Sequence, residues 1–178
     1  TDASAAQLRE AVAHPRITYQ HTRESRTELG DHAVDLITVA QAAHWLDLDL
    51  FYREVRRVLR PGGVLAMWCY GLCRIDAMTD VPVQEFYSKT VSQYWTPERH
   101  HVDMGYRTLP FPFPEEPFPA VAMELTWTLP ELVAYMRTWS AVSEYRRQLG
   151  DDPVPALHER LSELWGDPEA ARRVTWPL

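Results

Sequence analysis

A strand–helix–strand pattern over residues 34–68 constrains the fold of this chain more than any other feature. Val34 to Ala40 is nearly continuous in apolar residues, which is typical of a strand covered on both faces. A helix with one apolar face follows, capped by Asp47 or Asp49, and Val64 to Trp68 is again strand-like. Because the helix occupies the whole connection, the two strands are predicted to be parallel members of one sheet, joined by a right-handed crossover.

Local signals predict the elements on either side of this unit. Ser4 and Gln7 form a capping box, so a helix is expected from there to about Ala13. Ile17 to Tyr19 is rich in β-branched and aromatic residues and is predicted to be a short strand. The Pro-Gly-Gly sequence at 61–63 is expected to end the crossover helix, with glycine in the left-handed cap.

The second half of the chain has a weaker pattern and many aromatic residues. Residues 106–119 contain five prolines, which exclude a helix or a central strand and favour an ordered aromatic-proline loop. The remaining predicted elements are a helix over 81–95, a strand over 121–127, the longest helix over 130–148 and a helix over 155–165. A terminal segment over 174–178 follows, and its last residues, 176–178, resemble the start of a strand.

The composition limits the classes of protein to which the chain can belong. The 178 residues suffice for one domain, 1–178, and a net charge of −7 argues against a nucleic-acid surface. No apolar run approaches the roughly 20 residues that span a bilayer, so no membrane contact is expected. Two cysteines, Cys69 and Cys73, are too few for a disulfide framework, which favours free thiols in a reducing cytoplasm.

Two segments of the crossover, VDLITVAQAAHW and EVRRVLRPGGVLA, resemble the fourth strand, helix and fifth strand of class I S-adenosylmethionine-dependent methyltransferases. Within that family the chain is most similar to the small-molecule group with ubiquinone/menaquinone-type enzymes and trans-aconitate methyltransferase-like proteins. YMRTWSAVSEYRRQLGDDP and WGDPEAARRVTWPL resemble the C-terminal half of the trans-aconitate-like branch. The resemblance implies an α/β fold with a Rossmann-like, mostly parallel sheet, helices on both faces, and S-adenosyl-L-methionine across the carboxyl ends of the strands.

The resemblance also implies that two parts of the chain have different functions. Residues 1–70 correspond to the cofactor-side α/β part, and residues 71–178 to an aromatic- and proline-rich substrate-side part with C-terminal helices. The glycine-rich strand and loop that open the family fold are expected to be missing before Thr1, and the last strand is expected to be cut short.

Four residues near the start of the chain match adenosine-binding positions of the family. Asp2 corresponds to the acidic residue that binds the ribose hydroxyls, and the backbone of Ala3 is expected to lie against the adenine. Glu24 and Ser25 fall where the family commonly has Ala-Glu, so their side-chain contacts depart from the pattern. From the residues alone, Asp2 fits equally well as a helix-cap residue or as the ribose ligand of a dehydrogenase.

The end of the first crossover strand matches the methionine side of the donor. Ala40 and Gln41 correspond to positions beside the methionine portion, and His44 with Trp45 would face the methyl group or the acceptor. His44 is the candidate base, although a loop histidine beside a tryptophan is more often a packed or capping residue. Trp45 is the first candidate for contact with the acceptor.

The other acceptor candidates are aromatic rings and arginines of the substrate-side part: Tyr70, Tyr94, Arg107, Arg137 and Trp139. An arginine suits a carboxylate acceptor because its planar guanidinium binds both oxygens. His100, His101 and Asp103 have metal-binding chemistry, but adjacent histidines point apart on a strand, so no metal site is expected.

The leading hypothesis is methyl transfer from S-adenosylmethionine to a small molecule. Such a reaction needs alignment, exclusion of water and, for oxygen or nitrogen acceptors, removal of a proton. A carboxylate acceptor would need no base, whereas a hydroxyl acceptor would need His44 or a tyrosine. The alternatives are a non-catalytic fragment or degenerate relative that acts through a partner, and a nicotinamide dehydrogenase. An exposed sheet edge could pair with another chain, so a homodimer is one expected assembly.

Overall fold

The computed structural model of the chain describes residues 1–23 and 25–178, which divide into two compact units. Unit 1 comprises Thr1–Cys69 and Arg107–Glu115, and unit 2 comprises Tyr70–Tyr106 and Glu116–Leu178. The elements of unit 1 are α1 (Ala5–Arg9), β1 (Val34–Ala40), a 3₁₀ turn (Ala43–Trp45), α2 (Leu48–Val58) and β2 (Leu59–Trp68).

The predicted crossover is confirmed in unit 1. β1 and β2 are parallel neighbours, with Leu36 opposite Val64 and Ala40 opposite Trp68. The connecting helix α2 begins at the predicted cap, since the Asp47 carboxylate accepts the Leu50 N–H at 3.1 Å. Four of the buried side chains of α2 lie on the face that the spacing predicts: Phe51, Tyr52, Val55 and Val58. Glu54 is buried beside them.

The C-terminal end of α2 differs from the prediction of a glycine cap. The helix ends at Val58, because the carbonyls of Arg57 and Val58 accept the N–H groups of His32 (2.9 Å) and Ala33 (2.8 Å). The backbone is then already extended at Leu59 and enters β2. The Pro-Gly-Gly sequence at 61–63 therefore lies in β2, where the register with β1 shifts and Gly62 has a φ of 78°.

Two predictions for the first twenty residues are wrong in detail. The Ser4 hydroxyl accepts the Gln7 N–H at 3.4 Å as predicted, but α1 ends at Arg9 instead of Ala13. None of the residues of α1 is buried, and a short helix without packing gains little by extending. Residues 17–19 do not form a strand, because backbone pairing in this region is made two residues later, in a single parallel bridge between Asp2 and His21.

Unit 2 is largely helical and is built around one core. Its elements are α3 (Asp80–Glu85), a wide π turn (Phe86–Thr90), a 3₁₀ turn (Ser92–Tyr94), α4 (Arg99–Asp103), β3 (Ala122–Trp127), α5 (Leu129–Arg137), α6 (Ser140–Leu149), α7 (Val154–Trp165) and β4 (Arg172–Pro177). β3 and β4 pair antiparallel, with Ala122 opposite Pro177 and Trp127 opposite Arg172. The predicted helices over 81–95 and 155–165 and the strand over 121–127 are thereby confirmed, the first as three consecutive helical pieces.

The predicted long helix over 130–148 is wrong as a single element. It is divided between α5 and α6 at Thr138 and Trp139, and Trp139 has extended backbone angles (φ −64°, ψ 134°). Trp139 is buried within 6.0 Å, between ring centroids, of four aromatic rings. Burial of the indole ring compensates the lost helical hydrogen bonds, a tertiary effect that the helical period does not reveal.

The aromatic-proline segment is a loop, as predicted. The hydroxyl of Tyr52 in α2 donates to the carbonyl of Pro110 at 2.6 Å. The rings of Phe111 and Phe113 lie edge-on to Tyr52, with centroids 6.3 Å and 5.5 Å away. Burial raises the pKa of Tyr52, so the phenol keeps its proton and remains a donor. These contacts order residues 110–113 within unit 1.

No helix in the described part of the chain is long and apolar enough to cross a membrane.

Candidate active site

The carboxyl end of β1 has an unusual backbone conformation. Directly after Ala40, Gln41 has a φ of 53°, a region that residues other than glycine seldom adopt. Its N–H donates to the carbonyl of Trp68, the last residue of β2, at 2.9 Å. The sheet thus holds a conformation that costs of order 1–3 kcal/mol, and backbone strain of this kind is concentrated at functional sites.

The 3₁₀ turn that follows carries the predicted base. Ala43 is fully buried and anchors the turn, whereas His44 is half-buried and Trp45 is 58% exposed. The two rings are in contact, with centroids 4.8 Å apart and planes tilted by 45°. The turn therefore presents an exposed indole and an adjoining imidazole just beyond the end of β1. Catalysis by His44 stays a prediction.

Asp2 and Ala3 are held by the loop that follows residue 19. The Asp2 N–H donates to Gln20, and the Asp2 carbonyl accepts the Thr22 N–H, both at 3.1 Å. His21 Nε2 lies 3.0 Å from the Ala3 carbonyl. Asp2 Oδ1 accepts the Ser4 N–H at 2.7 Å, which forms a local turn just before α1, whose cap is Ser4.

The chemistry of this carboxylate suits a ribose. Asp2 is exposed, and within the described residues its Oδ2 takes part in no hydrogen bond. A carboxylate oxygen of this kind can accept hydroxyl groups of a ligand. Glu24 lies outside the described residues, and Ser25 is exposed in a turn.

A pair of charged residues that the sequence analysis missed fixes the same loop to α2. Thr27 donates its N–H (2.7 Å) and its hydroxyl (2.8 Å) to Glu54 Oε1. Arg57 donates from Nη1 to the Leu29 carbonyl at 2.8 Å and to Asp31 Oδ1 at 2.9 Å. We call Glu54 and Arg57 the loop clamp, since together they bind three residues of the segment 27–31.

The loop clamp is an ion pair with one buried partner. Glu54 is 7% exposed and accepts Arg57 Nε at 2.8 Å and Nη2 at 2.6 Å. The hydrogen bonds from Arg57 lower the pKa of Glu54 to about 2, against the opposing effect of burial. The bonds to Glu54 and Asp31 in turn raise the pKa of Arg57. A sequence signal existed, because Glu54 interrupts the apolar face of α2 between Phe51 and Val55.

Three of the acceptor candidates belong to the aromatic core of unit 2. Tyr94 and Trp139 are 7% and 8% exposed, and Tyr70 packs against the same cluster. The Tyr94 ring contacts Tyr145 at 4.9 Å between centroids. Packing explains the burial of these residues without a ligand, and their contact with an acceptor stays a prediction.

The two candidate arginines lie in different surroundings. Arg137, at the end of α5, is 3.7 Å from Asp152 Oδ2 and half-exposed. Arg107 belongs to unit 1 and is exposed at the start of the aromatic-proline loop. Contact of either arginine with an acceptor stays a prediction. In the described part of the chain, no three His, Cys, Asp or Glu residues are arranged to hold a metal ion.

A solved structure from Anaeromyxobacter dehalogenans, provisionally named a type II methyltransferase, is similar to this chain throughout. The two are 46% identical and superpose with a TM-score of 0.92 over 99% of this chain and 75% of that chain. The chain belongs to the class I methyltransferase family. This relationship confirms the predicted Rossmann-like α/β fold.

Comparisons of sequence agree with membership of the methyltransferase family. The family model described as "Methyltransferase domain" matches residues 1–67. A Dictyostelium discoideum protein, provisionally named a methyltransferase, is 31% identical over 165 residues, which are 91% of this chain and 63% of that protein. An uncharacterized methyltransferase from Mycobacterium tuberculosis is 35% identical over 85 residues, covering 42% of this chain and 35% of the relative. The methyltransferase chain thus spans less than two thirds of these curated relatives.

Proposed function

We propose that the protein transfers a methyl group from S-adenosyl-L-methionine to a small-molecule acceptor, as the trans-aconitate-like resemblance implies. The observation that carries the proposal is the carboxyl end of β1 in a class I methyltransferase fold. There the strained Gln41 redirects the chain into the turn of His44 and Trp45. Ligands of open α/β sheets bind outside the carboxyl ends of the strands, which supports a donor site at this position.

The residues proposed to hold the donor have suitable chemistry. Asp2 would accept the ribose hydroxyls through Oδ2, and the backbone of Ala3 would lie against the adenine. Glu24 and Ser25 would flank the adenine, and Ala40 with Gln41 would contact the methionine portion. The loop clamp would support this site indirectly, because it fixes the segment that follows Glu24 and Ser25.

Methyl transfer from this donor requires few catalytic groups of the protein. When bound, the donor supplies a methyl group on a sulfonium centre, which is already a good leaving group. The protein must align the acceptor, exclude water and remove a proton where the acceptor needs it. For a hydroxyl acceptor, His44 would take that proton, and Trp45 would cover the acceptor. For a carboxylate acceptor, an arginine such as Arg107 or Arg137 would bind the second oxygen.

Donor binding can be tested by calorimetric titration with S-adenosylhomocysteine. We expect micromolar binding, weakened about tenfold or more by Asp2→Ala, because hydrogen bonds to a charged group contribute about 1.5–3 kcal/mol. Asp49→Ala is the matched control, since Asp49 is an exposed carboxylate of the same unit in the first turn of α2. Absence of binding would favour the non-catalytic alternative, and binding of NAD in its place would favour a dehydrogenase.

The role of His44 can be tested separately. We expect His44→Ala to lower turnover by about 100-fold with a hydroxyl acceptor, since general-base catalysis typically contributes 10²–10⁴-fold. S-adenosylhomocysteine affinity should stay unchanged, which serves as the internal control. Turnover equal to that of the unaltered protein would end the candidacy of His44 as a base and would favour a carboxylate acceptor.

The remaining expectations concern assembly and location. We propose a cytoplasmic protein, because the two cysteines are buried and form no disulfide with each other. Nucleic acid and membranes are not proposed as partners, given the net charge of −7. A homodimer is the assembly to be tested by sedimentation.

A further inference from the structure

Unit 2 contains an open groove that none of the predicted acceptor residues lines. Its volume is about 410 Å³, within the range of small-molecule sites. The groove lies between the π turn and α4, and the lining residues that matter here are Tyr87, Ser88, Ser92, Trp95, Arg99 and Asp103. All of them belong to a stretch of 17 residues, so the groove is a local feature of unit 2.

Arg99 is the principal charged group of the groove. Its guanidinium carbon lies 4.6 Å from the Trp95 ring centroid and 5.2 Å from that of Tyr87, and its side chain is only 19% exposed. Nε is hydrogen-bonded to the Tyr87 hydroxyl (2.8 Å) and to Asp103 Oδ1 (3.3 Å). Among the described residues, the two terminal nitrogens make no side-chain or backbone hydrogen bond, so their four N–H groups are available to a ligand in the groove.

Trp95 adds a fifth unused donor beside Arg99. Its Nε1 is buried and has no hydrogen-bond partner within the described residues. A buried N–H without an acceptor costs about 1–3 kcal/mol, and native proteins seldom keep such groups without a reason. A buried indole N–H without an acceptor, beside a guanidinium whose terminal N–H groups are available, indicates a site for an acceptor that the chain itself does not supply.

The Asp103 carboxylate already accepts hydrogen bonds within the groove. Asp103 Oδ1 accepts the Tyr87 hydroxyl at 2.5 Å as well as Arg99 Nε. Burial and this bond raise the pKa of Tyr87, so the phenol stays protonated and continues to donate to Asp103. The Tyr87 hydroxyl shields the carboxylate on one side, and the terminal guanidinium nitrogens keep their preference for an added anion.

The rest of the groove restricts the ligand further. Two aromatic rings form part of the lining, which favours a flat ring as the body of the ligand. The hydroxyls of Ser88 and Ser92 donate to the carbonyls of Gln84 (2.7 Å) and Lys89 (3.2 Å). Their oxygens retain lone pairs, so they can accept a hydrogen bond from a polar group of the ligand.

We propose that this groove binds a small aromatic carboxylate, with the carboxylate on Arg99 and Trp95 and the ring beside Trp95 and Tyr87. A planar guanidinium binds a carboxylate through two parallel hydrogen bonds, which a lysine could not reproduce. The binding is independent of the methyl donor, so it goes beyond the proposed methyl transfer and can fail or succeed without it.

Calorimetric titration with 4-hydroxybenzoate, without S-adenosylhomocysteine, tests the proposal. We expect saturable binding to the unaltered protein and at least about tenfold weaker binding of the uncharged 4-hydroxybenzamide, because the amide carries no charge for Arg99. Arg99→Gln should weaken 4-hydroxybenzoate binding about tenfold or more. Arg147→Gln is the matched control, since Arg147 is a 71% exposed arginine of the same unit that pairs with Glu144 on α6.

Two further variants test the proposal independently, in case Arg99→Gln does not fold. Trp95→Phe keeps a ring in place but removes the indole N–H, and about threefold to tenfold weaker binding is expected. Arg99→Lys keeps the charge without the planar donors and should also bind more weakly. No binding to the unaltered protein at about 10 mM probe, or equal binding of the acid and the amide, would overturn the proposal. Equal weakening by Arg147→Gln and Arg99→Gln would also overturn it.

Discussion

Replacing Trp176 by alanine is expected to lower the free energy of unfolding of unit 2 by about 3–5 kcal/mol. Trp176 on β4 is 1% exposed and is among the largest fully buried side chains. Its ring lies 5.1 Å from Trp127 and 5.5 Å from Tyr135 between centroids. The indole Nε1 also donates to the Tyr135 hydroxyl at 3.2 Å, so the substitution removes both packing and a hydrogen bond.

Urea unfolding followed by circular dichroism measures this effect. Trp176→Phe is the matched variant, because it keeps most of the buried ring and loses the hydrogen bond, and a clearly smaller loss is expected. A loss below about 1 kcal/mol for Trp176→Ala would contradict the core position of Trp176, since surface substitutions fall in that range.

Glu54→Gln is expected to destabilise unit 1 by about 2–3 kcal/mol at pH 7. The substitution removes the charge that accepts two hydrogen bonds from Arg57 and two from Thr27. Arg57 is then left without its main partner. The segment 27–31 should loosen with it, because Thr27 and Leu29 depend on the loop clamp.

The effect of Glu54→Gln should depend on pH in a defined direction. The pKa of Glu54 is lowered from 4.5 to about 2 in the folded chain, chiefly by hydrogen bonds from Arg57. A lowered carboxyl pKa stabilises the folded state above the unfolded pKa, and this stabilisation is lost as the pH falls through the folded pKa. The difference between the two proteins should therefore be full above about pH 5 and should shrink between about pH 4.5 and 2.

Hydrogen exchange of residues 25–31, together with urea unfolding, is the appropriate measurement. Faster exchange confined to that segment and lower stability at pH 7 are both expected for Glu54→Gln. Asp35→Asn is the control, because Asp35 pairs with Arg60 in the same unit but is 79% exposed, where ion pairs contribute little. A difference between Glu54→Gln and the unaltered protein that stayed constant from pH 7 to about pH 2 would rule out ionised Glu54 as its source.

Elements that are specified by residues close to one another in the chain were predictable from the sequence. The continuous apolar strand, the Asp47 cap and the helical spacing of α2 together predicted the parallel crossover at 34–68, because each signal depends on neighbours along the chain. The prolines of 106–119 excluded regular structure for the same reason. The family resemblance then added the class of the protein, which the relatives confirm.

Elements that depend on distant contacts were not predictable in the same way. The end of α2 is fixed by His32 and Ala33, which lie far from it in sequence, and the break before α6 by burial of Trp139. The candidate site was likewise predictable only in part. The family resemblance suggested Asp2, Gln41 and His44, whereas no pattern predicted the left-handed backbone of Gln41 or the hydrogen bond from the Ser4 N–H to Asp2 Oδ1.

By itself, then, the sequence determined the crossover unit and its parallel strands, since hydrophobic period and capping act over a few residues, and the resemblance of its motifs indicated the family. Only the tertiary structure decided that Glu54 and Arg57 bind the loop at 27–31, and that the buried Trp95 N–H lies beside Arg99 with no acceptor among the described residues. The reason is physical: a buried charge or donor is defined by the partners that surround it, and those partners are brought together only by folding.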